Sequence, residues 1–179
     1  MGGYVALALW ELRPDLVRSL TLMDTRAAAD TEEGKAARRA LVDRILDEGR
    51  DALAGELVGA LLGSRPAPLV QARVRSMVEG TRYDPMVAAL DGMATRAERG
   101  ATLATISVPT LVMGGEQDAL IPTTELRAMA EQIPGARTVV MSEAGHLPPI
   151  KRASRVNEVL MELLEDRKVV WWREGSEGA

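Results

Sequence analysis

Two rhythms of apolar residues run along the 179-residue chain. Three short stretches are almost continuously apolar and end in small or polar residues: "SLTLMDT" (Ser19–Thr25), "PTLVMGGEQD" (Pro109–Asp118) and "RTVVMSEAGH" (Arg137–His146). Runs of this kind, bounded by turn residues, predict buried strands of the parallel type. Elsewhere the apolar positions recur at helical spacing. Val156, Val159, Leu160, Leu163 and Leu164 share one helical face. Between the last two strands, "IPTTELRAMAEQIPG" predicts a helix capped by Thr123 or Thr124 and stopped near Pro134 and Gly135. Strands and helices that alternate in this way argue for an open α/β sheet.

The stretch from about Ala27 to Thr102 breaks the alternation. It has no strand pattern, and Gly49, Gly63 and Gly80 punctuate it. Leu53, Leu57, Val58, Leu61 and Leu62 have helical spacing, as do Val70, Val74, Met77 and Val78. A parallel crossover needs only about a dozen residues, so this stretch predicts three or four amphipathic helices inserted as a cap. The expected organisation is a core of residues 1–26 and 103–168, a cap of residues 27–102 and a frayed tail of residues 169–179. Arg38, Arg39 and Arg44 are expected on a solvated helix face. The segment "DTRAAADTEEG" (Asp24–Gly34) either lines the mouth of a site or caps the first inserted helix.

Composition narrows the chemistry. An apolar content of 46% supports one cored domain, with a core of Leu, Val, Ala and Met because Phe is absent and aromatics make up 3%. Twenty-two basic residues against 26 acidic ones give a charge of −4 with no basic block, which argues against a nucleic-acid partner. The absence of Cys removes disulfides, thiolate nucleophiles and Cys-ligated zinc. His146 is the only histidine, so no metal site is expected, and no organic cofactor is implied. Apolar runs are too short for a membrane span, and no basic region precedes the first one as in a signal peptide. A soluble, cytoplasmic chain is expected.

Three motifs carry candidate chemistry. The chain opens "MGGYVALALWELRPDLVRSL", with two glycines where a helix nucleates. The second strand runs into Gly114 and Gly115 and then reaches Asp118 and Pro122. The third ends in Gly145 and His146, with Asn157 beyond. In this order the motifs resemble an α/β-hydrolase of the capped esterase, lactonase and cofactor-free peroxidase type, from just after its nucleophile to about Leu164. The family's elbow has the form G-x-S-x-G, often "GxSMGG", and its strained turn tolerates little bulk. The resemblance implies that Met1 follows the nucleophilic serine directly and that the Met1 backbone nitrogen belongs to the oxyanion hole. It implies that Asp118 is the triad acid, in a pattern like "P-x-L-x-x-x-G-x-x-D-x-x-x-P", with Asp24 a rival at the end of the first strand. It implies that His146 is the base, in a pattern like "GHxxxxExPxxxN". The chain departs from that pattern around Lys151, where an acid is usual, and near Ser154, where a proline is usual.

The fold class implied is α/β: a partial α/β-hydrolase fold with three parallel strands and an inserted helical cap. The activity implied is hydrolysis of small esters, lactones or related acyl compounds through a Ser-His-Asp triad. A hydrolase-like binding protein without a nucleophile and a peroxidase-type activity are the alternatives. A strand "SLTLMDT" with one unpaired edge is expected to favour self-association.

Overall fold

The computed structural model describes residues 1–165; the expected tail, and the last three residues of the expected core, lie outside the described residues. Helix α1 (Gly2–Leu12) and a single 3-10 turn (Pro14–Leu16) lead into β1 (Leu20–Met23). Four helices follow: α2 (Glu32–Glu48), α3 (Arg50–Leu62), α4 (Pro68–Gly80) and α5 (Tyr83–Ala94). The short α6 (Gly100–Leu103) returns the chain to β2 (Thr110–Gly115). Then come α7 (Thr123–Glu131), β3 (Arg137–Met141), α8 (Pro148–Lys151) and α9 (Ala153–Leu164).

The strands form one parallel sheet in the order β1-β2-β3. Leu20 pairs with Thr110, and Leu111 pairs with Arg137. This register aligns the C-terminal ends, where ligands of open α/β sheets bind. Only the central strand is buried along its whole length, as a strand covered on both faces should be. β1 alternates buried and half-buried residues. β3 is buried only at Met141, a correction to the expectation of three buried strands. Its cause is position: among the described residues β3 pairs with β2 alone.

Two apolar clusters sandwich the sheet. On one face Leu7, Trp10, Leu22, Leu103, Val112, Leu126 and Ile133 pack together. On the other, Leu111, Met113 and Met141 meet Val156, Val159 and Leu163 of α9. The expected α9 stripe is therefore the buried face, although Leu160 is half-buried and Leu164 exposed. The helices between β1 and β2 have small cores of their own. One holds Ile45, Leu53 and Leu90, and the other Val58, Leu62 and Val74.

Two local expectations need correction. Pro122, not a threonine, precedes the first residue of α7, and no side chain caps that helix. Proline presets the extended backbone and leaves Thr123 inside the helix. Arg44 is solvated as expected, but Arg38 is not. Arg44 pairs with Glu48 and Glu56. Arg38 reaches the buried Asp30, which also takes Arg96 at 2.7 Å. Asp30 thus ties α2 to the end of α5, and Arg96 lies over the ring of Tyr4 at 4.3 Å. Within the same segment, Thr31 caps α2 by accepting from the Gly34 N–H.

Candidate active site

Gly115 ends β2, and the chain turns at once to present Asp118. The turn is tight because the Gly145 and Ala144 carbonyls pack against the Gly115 backbone, and a Cβ there would overlap both. Glu116 N–H donates to the Met141 carbonyl and Gln117 N–H to the Ala144 carbonyl, stitching the acid loop to the loop that carries His146. The two side chains meet: His146 Nδ1 and Asp118 Oδ2 are 2.8 Å apart. Asp118 Oδ1 accepts from the Leu120 and Ile121 N–H groups at 2.8 and 3.1 Å. Burial opposes the Asp118 charge, but the bond and charge of His146 and these two N–H groups hold its carboxyl below the ordinary range. The carboxylate side chain is fully buried, while the imidazole stays 22% exposed. An acid that is anchored and dry, holding an imidazole open to a ligand, is the geometry of a general base and its orienting partner.

Asp24 lies beside this pair. It sits at the end of β1 with φ of 44° and is buried, and its Oδ1 accepts the Gly115 N–H at 2.8 Å. Asp24, Asp118 and His146 each place a ligand-type atom within 4.8 Å of the others. This is the set among the described residues that could hold a metal ion. Three of its four carboxylate oxygens, both of Asp118 and Oδ1 of Asp24, already accept hydrogen bonds.

Met1 is the N-cap of α1, where its carbonyl accepts the Tyr4 N–H at 2.9 Å. Burial, then the charges of Arg38 and Arg96, lower the pKa of its amine. The α1 start is pressed onto the site by glycine, since a Cβ on Gly3 would overlap the side chain of Thr25, next to Asp24. Gly2 has no such neighbour. Only the second of the opening glycines is required by close approach.

Lys151 shows what replaces the usual acid. Its ammonium donates to the Leu62 and Ser64 carbonyls at 3.1 and 2.5 Å, joining the end of α8 to the end of α3. Desolvation lowers its pKa. Sequence reasoning did not find this role, because the partners are backbone carbonyls without a residue signature. A cleft of about 510 Å³ opens nearby among Ser64, Arg65, Gln117, Glu143, Lys151 and Arg152. Neither Asp118 nor His146 lines it, so the pair lies outside this cleft. Among the described residues no helix is long and apolar enough to cross a membrane.

The α/β-hydrolase fold family model matches residues 1–153. The chain belongs to that family. A thermophilic esterase from Thermogutta terrifontis is 37% identical with a TM-score of 0.87, and the match covers 94% of this chain and 63% of that one. The enol-lactonase from Burkholderia xenovorans LB400 is 25% identical with a TM-score of 0.82, covering 93% and 63%. A pimeloyl-[acyl-carrier protein] methyl ester esterase of Neisseria meningitidis is 28% identical over 183 residues, covering 92% of this chain and 66% of the relative. The chain therefore spans slightly less than two thirds of the hydrolases it resembles.

Proposed function

We propose that this hydrolase cleaves small carboxylic esters or lactones through an acyl-enzyme. The observation that carries the reading is the buried, doubly N–H-anchored Asp118 hydrogen-bonded to a partly open His146. The nucleophile in this proposal is a serine joined to the amino side of Met1. Its Oγ attacks the substrate carbonyl while His146 Nε2 takes the proton. The Nδ1–H donates to Asp118, which stabilises the imidazolium as it forms. The Met1 backbone nitrogen and a second N–H group from a preceding segment bind the oxyanion. The proton then passes to the leaving alcohol, and water, deprotonated by His146, releases the acid. Helices α2 to α5 form the cap over this site and select the acyl group.

The test compares two proteins, the 179-residue chain and the same chain with its in-frame upstream sequence. The longer protein is expected to hydrolyse p-nitrophenyl acetate with a burst, and His146→Ala is expected to abolish it. The shorter chain should show no His146-dependent turnover. Burst turnover by the shorter chain would put the nucleophile within it, at a residue such as Ser142 or Ser19, and refute the assignment.

A further inference from the structure

Asp24 is a buried carboxyl that the proposed reaction leaves without a task. It is 6% exposed. One oxygen, Oδ1, accepts from Gly115. The other, Oδ2, is buried with no donor in reach. One of its oxygens nevertheless lies within 4.8 Å of a carboxylate oxygen of Asp118. Two ionised carboxylates only accept hydrogen bonds, so a contact between them is favourable only when one carries a proton. The donors around the pair decide which one. Asp118 receives the Leu120 and Ile121 N–H groups and the imidazole, whereas Asp24 receives one N–H. The charge therefore belongs on Asp118 and the proton on Asp24.

The remaining surroundings do not supply Asp24 with a cation. From β2 it meets Gly114 and Gly115. α7 contributes apolar Leu126 beside Gly114, and its Glu125 is held by Arg26 at 3.2 Å. Arg26, two residues beyond Asp24, also donates to the Leu120 carbonyl. From α1 the approach is Gly3 against Thr25. The titratable neighbours that face Asp24 are Asp118 and, through it, His146.

We infer that Asp24 is a positioning residue: a neutral carboxylic acid that donates its proton to Asp118 and fixes the carboxylate plane so that Oδ2 faces His146. This inference rests on the reading of Asp118 and His146 as the acid–base pair. Burial, and then the neighbouring Asp118 against the opposing Gly115 bond, pushes the Asp24 pKa up to about 8. Above that pH the Asp24 proton is lost, two anions face each other, and the Asp118 carboxylate is released from its orientation. The site thus carries its own alkaline limit, independent of the imidazole.

The lone histidine makes the test direct, because its ring resonances report one site. The 179-residue chain is labelled with ¹³Cγ-aspartate and ¹⁵N-histidine and titrated by NMR. One aspartate carboxyl is expected to titrate near pH 8 and to vanish in Asp24→Asn, and the His146 ring signals should move with the same midpoint. Asp24→Asn keeps a donor toward Asp118 and should retain the Nδ1–H resonance at neutral pH; Asp24→Ala should broaden or lose it. No aspartate titrating near 8, persistence of that titration in Asp24→Asn, or His146 signals indifferent to it would each overturn the inference. Should Asp24→Asn not fold, the wild-type ¹³Cγ midpoint and the His146 response decide alone. An Nδ1–H signal unchanged by Asp118→Asn would instead refute the acid–base pair itself, so the two failures are distinguishable.

Discussion

The two flanks of the sheet are built differently. On the β2–β3 flank, the central strand is buried throughout and paired on both sides, and its end loop is locked to the next by backbone hydrogen bonds. Asp118 is held there by two backbone N–H groups, and it in turn holds His146. On the β1–α1 flank, β1 has one strand partner among the described residues, and α1 buries Leu7 and Trp10 while Val5, Leu9 and Leu12 are exposed. The Asp118–His146 pair is thus self-contained, whereas the Met1 side presents apolar surface. Asp24 stands at the seam, bonded to the well-built flank through Gly115.

The largest expected effect tests that self-containment. In the extended, active protein, Asp118→Asn should lower kcat by about 10⁴-fold with little change in the melting transition, because the amide favours the wrong imidazole tautomer. Asp24→Asn should cost far less at neutral pH. The reverse ranking would move the triad acid to β1 and erase the distinction between the flanks.

The next effect lies in how stability depends on pH. The Asp24 pKa is raised to about 8 in the folded chain, against about 3.9 when unfolded. Between these values the folded state binds more protons, so stability falls as pH rises. The contribution is complete below about pH 4 and lost through pH 8, at no more than about 1.4 kcal/mol per pH unit. Asp24→Asn lacks this slope. Its urea midpoint should gain on the wild type from pH 5 to 8 and run parallel above. Asp118, whose pKa is lowered, acts in the opposite sense and only at acid pH, so it does not mask the window. Parallel midpoints from pH 5 to 8 would mean that Asp24 is ionised throughout.

Much of this architecture is legible in the sequence, and the rest is hidden there for identifiable reasons. All three strands fall within their apolar runs, because short runs that end in small or polar residues leave little freedom of placement. The meeting of Asp118 and His146 was implied by the resemblance of their motifs to those of α/β-hydrolases. The partial exposure of β3 was not, since an apolar run carries no mark of whether its strand will be central or at an edge. The proximity of Asp24 to Asp118 was equally hidden. Two strand-end aspartates read as rivals for one role until the sheet order places them side by side. Lys151 and Asp30 belong with it: each joins segments far apart in sequence, and one of the two does so through carbonyls common to every residue.

A smaller effect tests how tightly the well-built flank is closed. Gly115→Ala puts a methyl against the Gly145 and Ala144 backbone carbonyls, which cannot rotate away as a side chain would. Overpacking of this kind costs about 1–3 kcal/mol. The shift also moves the N–H that holds Asp24. Thermal unfolding should show the loss, with the His146 ring resonances displaced. A neutral substitution would show that the acid loop is looser than its hydrogen bonds imply.

The smallest effect on stability is expected on the other flank. Leu12 ends α1 and is 77% exposed, with Val5 at 63%. Lysine has a helix propensity close to that of leucine, and a cation in the last turn is favoured by the helix dipole. Leu12→Lys should therefore change the urea midpoint by less than about 0.5 kcal/mol, the range of ordinary surface substitutions. Its effect on association should be larger. An apolar helix face beside a strand with an open edge favours pairing between chains, so the wild-type sedimentation coefficient is expected to rise with concentration, and Leu12→Lys to weaken that rise. A charge at this position leaves the β1 edge in place, so association should be reduced without disappearing. Leu7→Ala, in contrast, empties a fully buried site and should cost about 2–5 kcal/mol. If Leu12→Lys cost as much as Leu7→Ala, the outer face of α1 would be a packed face like the inner one, and the contrast between the flanks would fail.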